Sequence, residues 1–512
     1  MPPTRSSGDL TDDLGVVPRF EAMVRATPDR TFARIGTSVL TFSALEARSR
    51  QLANWLRANG IGGGEPVALM LRNGEAALSL MLAIARSGSV WVPINPAAVG
   101  EPLSYLLNHA APRLVIAEAD LIPVLAAAAA APAPRLIAVD ALGRAQSAPP
   151  SAEQATPVAP ESPFAIMYTS GTTGPPKGVI VSHRMLRLAG EAAALVADAG
   201  DGDVLYVWEP LYHIGGAQLM VLPLIRRVSL TLAQRFSARS FWADVRAAGA
   251  THLHYLGGIL EMLLKQPPGP LDRSHGACIA WGGGCPAEVW APFEARFGVK
   301  IRECYGMTEC SSITTANLDG PIGSVGRPLP WFDVALCDAD GASVAPGLWG
   351  EIVVSERQPG GLSRGYFRDA EATARAFRAG AFHTGDLASS DAAGNLYFHG
   401  RMTDSVRVRG ENVAAAEVES VVRRHPAVAD CAMIGVAAEV GEGEIKLFVS
   451  LRADAKLAAP ELGAWLRDKL ARHQRPRYVA FIDAFERTAS QRIMKHKLSR
   501  RTDDCCDLGT HP

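Results

Sequence analysis

Apolar positions along this chain alternate between two periods. Phe42–Ala58 carries its apolar side chains at helical spacing, and the continuous run Pro66-Val67-Ala68-Leu69-Met70-Leu71 after it reads as a buried strand. Ala77–Ser87 returns to helical spacing, and Val90-Trp91-Val92-Pro93 predicts the next strand. Short strands separated by helices predict a parallel sheet with helices over its faces. Val124–Ala131 predicts a helix that stops at Pro132-Ala133-Pro134. Ala148–Pro163, rich in Pro, Ala and Ser, predicts a linker into the strand Ala165-Ile166-Met167. The texture changes at Gly400-Arg401-Met402-Thr403-Asp404. Beyond it, a basic alternating strand (Ser405–Arg409), a helix (Ala415–Arg424) and strands Cys431–Val436 and Ile445–Leu451 predict a small α+β domain.

Length changes the picture first, because 512 residues are too many for one core. The expected division is a large α/β N-terminal domain of helix-covered sheets over 1–400, a small domain over 401–500, and a polar tail over 501–512. With 51 basic against 52 acidic residues there is no field to attract nucleic acid. The N-terminus, with Asp9, Asp12 and Asp13, has no apolar segment of signal-peptide type. The longest apolar stretches, Leu121–Ala131 and Leu219–Ile225, are too short or too broken by Pro to span a bilayer. A soluble cytoplasmic protein is expected. Its eight cysteines follow no metal or disulfide spacing and read as reduced thiols. The oligomeric state stays open, a homodimer among the options.

The densest chemistry lies in Tyr168-Thr169-Ser170-Gly171-Thr172-Thr173-Gly174-Pro175-Pro176-Lys177-Gly178. Glycines allow close backbone approach, while hydroxyls, N–H groups and the Lys177 ammonium form a cradle for polyphosphate. The spacing differs from a nucleotide loop that closes on Gly-Lys-Ser/Thr. Glu303-Cys304-Tyr305-Gly306-Met307-Thr308-Glu309 supplies a carboxylate, and beside a polyphosphate such a group calls for a divalent ion between them. Three glycines follow Trp281 in Ala280-Trp281-Gly282-Gly283-Gly284-Cys285-Pro286 and leave room for a flat ligand.

These segments resemble the signatures of the adenylate-forming superfamily: acyl-CoA synthetases, luciferases and peptide-synthetase adenylation domains. The resemblance covers nearly all of 15–500. It implies ATP, Mg²⁺ and coenzyme A as cofactors, a carboxylic acid as substrate, and a mobile C-terminal lid hinged at Asp404. It assigns Thr169, Ser170, Gly171, Thr172, Thr173, Gly174 and Lys177 to the phosphates, and Gly283, Gly284, Cys285, Glu303, Gly306 and Met307 to the nucleotide site. Tyr305 stacks on adenine, Thr308 touches the α-phosphate and Glu309 holds Mg²⁺ in such enzymes. His383-Thr384-Gly385-Asp386 and Gly400-Arg401 resemble the ribose motifs, giving Asp386 and Arg401. Tyr212-His213-Ile214-Gly215-Gly216 matches the segment whose histidine lines the acyl site, whereas His183 reads as the start of a helix after Ser182.

The acyl pocket is expected from Trp208, His213, Tyr255, Gly257, Gly258, Gly282, Gly283 and Gly284, a mostly apolar set that suits a neutral, fairly hydrophobic acid. Leu256-Gly257-Gly258 stands where such ligases usually have Val-Pro-Thr. The stretch Thr251–Gly258 lacks the aspartate that holds an α-amine, and no carrier domain is read after residue 500, so a peptide-synthetase module is disfavoured. Arg409, Gly410 and Glu411 fall in a segment resembling the pantetheine tunnel of acyl-CoA ligases, most of all the crotonobetaine/carnitine-CoA ligase branch.

One departure stands out in Arg487-Thr488-Ala489-Ser490-Gln491-Arg492-Ile493-Met494-Lys495. Gln491 replaces the usual glycine, and Arg492 occupies the position of the adenylation lysine. Arginine keeps the charge in a bulkier, forked form. Arg492 does the work, Lys495 reaches in instead, or adenylation is slow; the first is the expectation. The resemblance implies an AMP-forming acyl-CoA ligase. An enzyme of one half-reaction and an inactive ligand-binding homologue are the rivals.

Overall fold

The computed structural model describes residues 15–130, 132–143, 158–169, 175–402, 405–408, 411–437, 443–488 and 493–509. The helix predicted at Phe42–Ala58 is present with those bounds, capped where the Thr41 side chain accepts from the Ala44 N–H at 3.1 Å. Strands Pro66–Met70 and Val90–Pro93 and helix Glu75–Arg86 lie where the periodicity put them. The helix predicted over Val124–Ala131 runs Ile122–Ala128. Of the predicted linker Ala148–Pro163, residues 148–157 lie outside the described residues, and Pro163 already opens the strand that follows.

Two sheets organise the first half of the chain. One has six strands in the order Arg135–Ala138, Leu114–Ala117, Pro66–Met70, Val90–Pro93, β1 (Pro163–Thr169), β2 (Lys177–Ser182). Its strands run parallel except for β1 and β2, which pair antiparallel and bring Thr169 opposite Lys177. The second sheet has nine strands, and its centre is parallel: β3 (Val204–Val207), β4 (His252–Leu256), β5 (Ile279–Gly283) and β6 (Lys300–Tyr305). Helix α1 (His183–Ala197) packs against strands of both sheets. Thirteen of its residues are buried, because a helix with sheet on two sides has almost no solvent face. Helix α2 (Ile214–Ile225) lies beside it and is apolar nearly all round.

The chain divides into two compact units. The first holds Met1–Gly320, Arg327–Asp333 and Ser355–Phe382; the second holds Pro321–Gly326, Val334–Val354 and His383–Pro512. In the second unit, β7 (Ala381–Ser390) pairs antiparallel with β8 (Leu396–Arg401). A hairpin of β9 (Ser405–Val408) and β10 (Glu411–Ala414) leads into α3 (Ala415–Val422). The sheet beyond runs β11 (Val428–Val436), β12 (Glu444–Leu451), β13 (Tyr478–Phe481), β14 (Cys506–Asp507). Strand β14 comes from the segment read as a polar tail. Its neighbourhood satisfies Lys446, fully buried in β12, whose Nζ donates to Ser499 O (3.1 Å), Arg501 O (2.5 Å) and Asp504 Oδ1 (2.5 Å). A buried ammonium needs all three donors met, which explains why this polar stretch is ordered.

Candidate active site

The site grows from the ends of parallel strands. β6 ends at Tyr305, and the chain turns through Gly306 into a short 3₁₀ turn at Thr308–Cys310. A Cβ at Gly306 would sit 2.0 Å from Ser312 O, so only glycine fits this crossing. Ser311 and Ser312 take positive φ (50° and 73°), an unfavourable pair held by the Ser311 hydroxyl, which donates to Gly361 O at 2.5 Å. Met307 O closes the turn by accepting the N–H groups of Cys310 and Ser312. Thr308 and Glu309 are both buried.

The strap Gly361–Phe367 joins this turn to β2. Ser363 N–H donates to Glu309 O at 2.8 Å, and the Ser363 hydroxyl lies 2.8 Å from Ile180 O on β2. Phe367 N–H donates to Gly178 O at 2.7 Å. Tyr366 then stands between the two charged candidates: its hydroxyl donates to Glu309 Oε1 at 3.0 Å, and Lys177 Nζ lies 4.9 Å from its ring centroid. Ser170, Gly171, Thr172, Thr173 and Gly174 lie outside the described residues. Thr169 closes β1 next to Tyr168, whose hydroxyl shares a 2.7 Å hydrogen bond with His109 Nδ1.

The glycine loop is braced from behind. Glu303 is buried, and its carboxylate accepts from Gly284 N–H (2.6 Å), Cys285 N–H (3.1 Å) and the Tyr255 hydroxyl (2.5 Å). Burial pushes this carboxyl up to about 7, against the lowering effect of those hydrogen bonds. A Cβ at Gly282 would sit 1.8 Å from Tyr255 O, so β4 and β5 approach as closely as backbone allows. Gly257 N–H donates to Gly283 O at 2.9 Å, while a Cβ at Gly258 would meet nothing within 4 Å. Tyr255 and Trp208 are core side chains, and Trp208 Nε1 donates to His254 O at 2.8 Å. They form the backing of the expected acyl wall.

His213 is exposed at the start of α2, its Nδ1 accepting the Gly215 N–H at 3.2 Å. Beneath it lies a pair that periodicity and motifs did not reveal. Glu209 Oε2 is 2.5 Å from His254 Nδ1, with side chains 1% and 3% exposed. A Cβ at Gly215 would lie 3.1 Å from Glu209 Oε2 and 3.3 Å from His213 Nδ1, so the carboxylate sits against the first turn of α2. His183 is the buried first residue of α1, packed edge-on against Phe164 after the Ser182 cap. Burial holds it down to about 4.

In the second unit, Asp386 and Arg401 are register partners on β7 and β8, with Arg401 Nε 2.8 Å from Asp386 Oδ1. Thr384 Oγ1 accepts the Asp386 N–H at 3.1 Å and donates to Ile352 O at 2.7 Å, fixing the carboxylate's backbone. Glu411 opens β10 opposite Val408; Arg409, Gly410 and the hinge candidate Asp404 lie outside the described residues. Arg487 and Ile493 form an antiparallel bridge; Arg492 also lies outside the described residues. Lys495 Nζ is 2.8 Å from Glu419 Oε1. Among the described residues no group of three or more His, Cys, Asp or Glu gathers to hold a metal.

The profile of the AMP-binding enzyme family matches residues 20–367, and that of the AMP-binding enzyme C-terminal domain matches 417–492. The chain belongs to the AMP-binding enzyme family. A sulfoacetate–CoA ligase of Cupriavidus necator is 33% identical over 90% of this chain and 92% of its own. A feruloyl-CoA synthase of an Amycolatopsis species is 32% identical over 93% and 97%. Among solved structures, ATP-bound MatB from Rhodopseudomonas palustris superposes with a TM-score of 0.86 at 28% identity, covering 94% of this chain and 98% of that one. The O-succinylbenzoate CoA synthetase of Bacillus subtilis, solved with ATP and magnesium ion, gives a TM-score of 0.83 at 25% identity, over 94% and 98%.

The residues that sequence reading passed over are Tyr366, Ser363, Glu209 and His254. Tyr366 and Glu309 are 57 positions apart, and nothing in their spacing links them. Glu209 lies in a bend two residues beyond β3 and His254 in the middle of β4, 45 positions away, and nothing in their spacing pairs them.

Proposed function

We propose that this chain is an AMP-forming acid–CoA ligase working on ATP, a carboxylic acid and coenzyme A, in the cytoplasm. The substrate carboxylate attacks the α-phosphorus of ATP and expels pyrophosphate; the CoA thiol then attacks the acyl carbonyl and expels AMP. The observation that carries this reading is Tyr366 between Lys177 and Glu309, which puts a phosphate-seeking cation and a metal-seeking carboxylate on one aromatic side chain.

Lys177 and the phosphate loop hold the polyphosphate, and Thr308 orients the α-phosphate. Glu309 would hold Mg²⁺, which when bound offsets the negative charge of the reacting phosphates. Tyr305 packs on adenine, and Asp386 with Arg401 receives the ribose hydroxyls. His213 faces the acyl group against the glycine loop, whose apolar backing by Trp208 and Tyr255 favours a neutral, hydrophobic acid. Arg492 takes the adenylation role. The ion pair of Lys495 with Glu419 supports that choice, since it engages the rival cation. The C-terminal domain then turns about Asp404, withdrawing Arg492 and presenting Arg409, Gly410 and Glu411 to pantetheine.

ATP–pyrophosphate exchange across aliphatic, aryl and hydroxyaryl acids tests the first step, and a CoA-dependent thioester tests the second. Exchange with thioester is the expected result. Exchange with no thioester on any acid favours a second reading, an enzyme of the adenylation half-reaction alone. Thioester formed only from supplied acyl-AMP points to the other half-reaction, which the arginine at 492 motivates.

A further inference from the structure

Tyr366 has no assigned part in the reaction, yet more of the candidate nucleotide site meets at this side chain than at any other described above. Its ring is buried, 8% exposed, in a strap sewn down on two sides. One side is β2: Ile180 N–H donates to Gly365 O at 3.2 Å, Phe367 N–H donates to Gly178 O, and Val179 bridges Tyr366 itself. The other side is the Thr308–Cys310 turn, held through Ser363 N–H on Glu309 O and the Ser311 hydroxyl on Gly361 O. The Thr373 hydroxyl accepts the Tyr366 N–H at 2.9 Å and donates to Asp369 O at 2.7 Å, so the backbone at 366 cannot drift. At the end of this scaffold the phenol donates to Glu309 Oε1, and the ring face lies under Lys177.

A flexible glutamate that must meet an ion has many rotamers to lose, and a phenol donating to one of its oxygens removes most of them. A lysine on a four-carbon stem is confined in the same way by a ring below it. We propose that Tyr366 is the positioning residue that sets the metal carboxylate Glu309 and the phosphate cation Lys177 in register. Its hydroxyl tunes affinity for the divalent ion, and its ring tunes affinity for the nucleotide. The strap transmits any movement of the phosphate-loop strand to the Glu309 turn. This inference rests on the proposed nucleotide site.

The two functions separate by substitution. Tyr366→Phe keeps the ring and removes the hydroxyl. Partners that orient a metal ligand typically change metal affinity by about 10–100-fold, so the Mg²⁺ concentration for half-maximal pyrophosphate release should rise by at least about 10-fold. The KM for ATP at saturating Mg²⁺ should stay within about 2-fold, because the contact with Lys177 survives. Tyr366→Leu should show the same metal defect and a further rise of about 2–30-fold in ATP KM. Mn²⁺ binding followed by electron paramagnetic resonance, with ATP present and no acid, reads the metal effect without turnover. There Tyr366→Phe should weaken Mn²⁺ in wild-type protein and add nothing in a Glu309→Gln background.

Wild-type Mg²⁺ and Mn²⁺ affinities in Tyr366→Phe, or full additivity with Glu309→Gln, would overturn the proposal. Thermal melting checks each variant's fold. If Tyr366→Phe does not fold, Ser363→Ala provides the second arm. It leaves Tyr366 intact, loosens the strap at Ile180, and should shift the Mg²⁺ requirement in the same direction by a smaller factor; no shift would refute the mechanical link. Loss of all ATP-dependent Mn²⁺ binding in the wild type would instead refute the nucleotide site itself.

Discussion

The residues proposed for the nucleotide and those proposed for the acyl group are held by opposite means. On the nucleotide side, charged groups are short-range neighbours of backbone turns: Glu309 in a 3₁₀ turn, Lys177 at a strand start, Asp386 and Arg401 as register partners. Lys177 and Glu309 meet at Tyr366 in the first unit, and Asp386 and Arg401 meet each other in the second. On the acyl side, the wall is glycine backbone, and its polar groups lie underneath. Glu303 braces the glycine loop, and Glu209 pairs with His254 below the His213 turn. The first design sets charged groups on turns and strand ends, as the proposed polyphosphate and ribose ligands require. The second hides charge so that the surface above it stays apolar. Turns and strand ends therefore carry the proposed phosphate chemistry, while buried groups underneath shape the proposed acyl wall.

The comparison breaks most sharply at Glu209. Glu209→Leu leaves His254 buried without its partner, and should lower stability by about 3–5 kcal/mol in denaturant unfolding. Glu209→Leu combined with His254→Leu should recover most of that loss. A double variant no better than the single one would mean that the pair is not the unit that matters. Next in size, Glu309→Ala should cut pyrophosphate release about 10²–10³-fold with little change in melting temperature, the reverse of the Glu209 pattern. Near-full activity would remove the metal assignment.

Glu303 sharpens the contrast through pH. Its carboxyl titrates near 7 in the folded chain because of burial. A group that binds its proton more tightly folded than unfolded contributes stability that falls as pH rises between the two values, here from about 4.5 to about 7. Glu303→Gln should flatten the pH dependence of unfolding in that window by about 3 kcal/mol. An unchanged profile would place the titration elsewhere. The smallest effect concerns the second unit. Arg492→Ala should slow acyl-AMP formation about 10–100-fold yet spare thioester formation from supplied acyl-AMP. Equal losses in both steps would contradict its half-reaction role.

How much of this could be read from the chain follows the same division. Phe42–Ala58 and Val90–Pro93 kept the bounds that periodicity gave them, because local packing alone decides such elements. The Glu303–Glu309 segment stood out through its resemblance to the superfamily signature, and the structure adds a physical reason for one position, the backbone crossing at Gly306 that leaves no room for a Cβ. Tyr366 was not legible, since its meaning lies in bridging β2 and a turn 57 residues away. Glu209 and His254 read as unremarkable polar residues, and only the adjacency of β3, β4 and α2 makes them a pair. The end of the chain looked solvent-bound from composition, yet Lys446 draws residues 499–504 onto the C-terminal sheet because a buried ammonium must be met.

The central claim is that Lys177, Tyr366 and Glu309 frame a site that activates an acid on ATP and passes it to CoA. Single-turnover quenching with ATP labelled at the α-phosphate, an accepted acid, and CoA added late tests it most directly. Labelled acyl-AMP should form on the wild-type enzyme before CoA is present, convert to AMP and acyl-CoA once it is added, and fail to form in Glu309→Ala. ATP that binds but yields no acyl-AMP with any acid, or acyl-AMP formed equally well by Glu309→Ala, would contradict it.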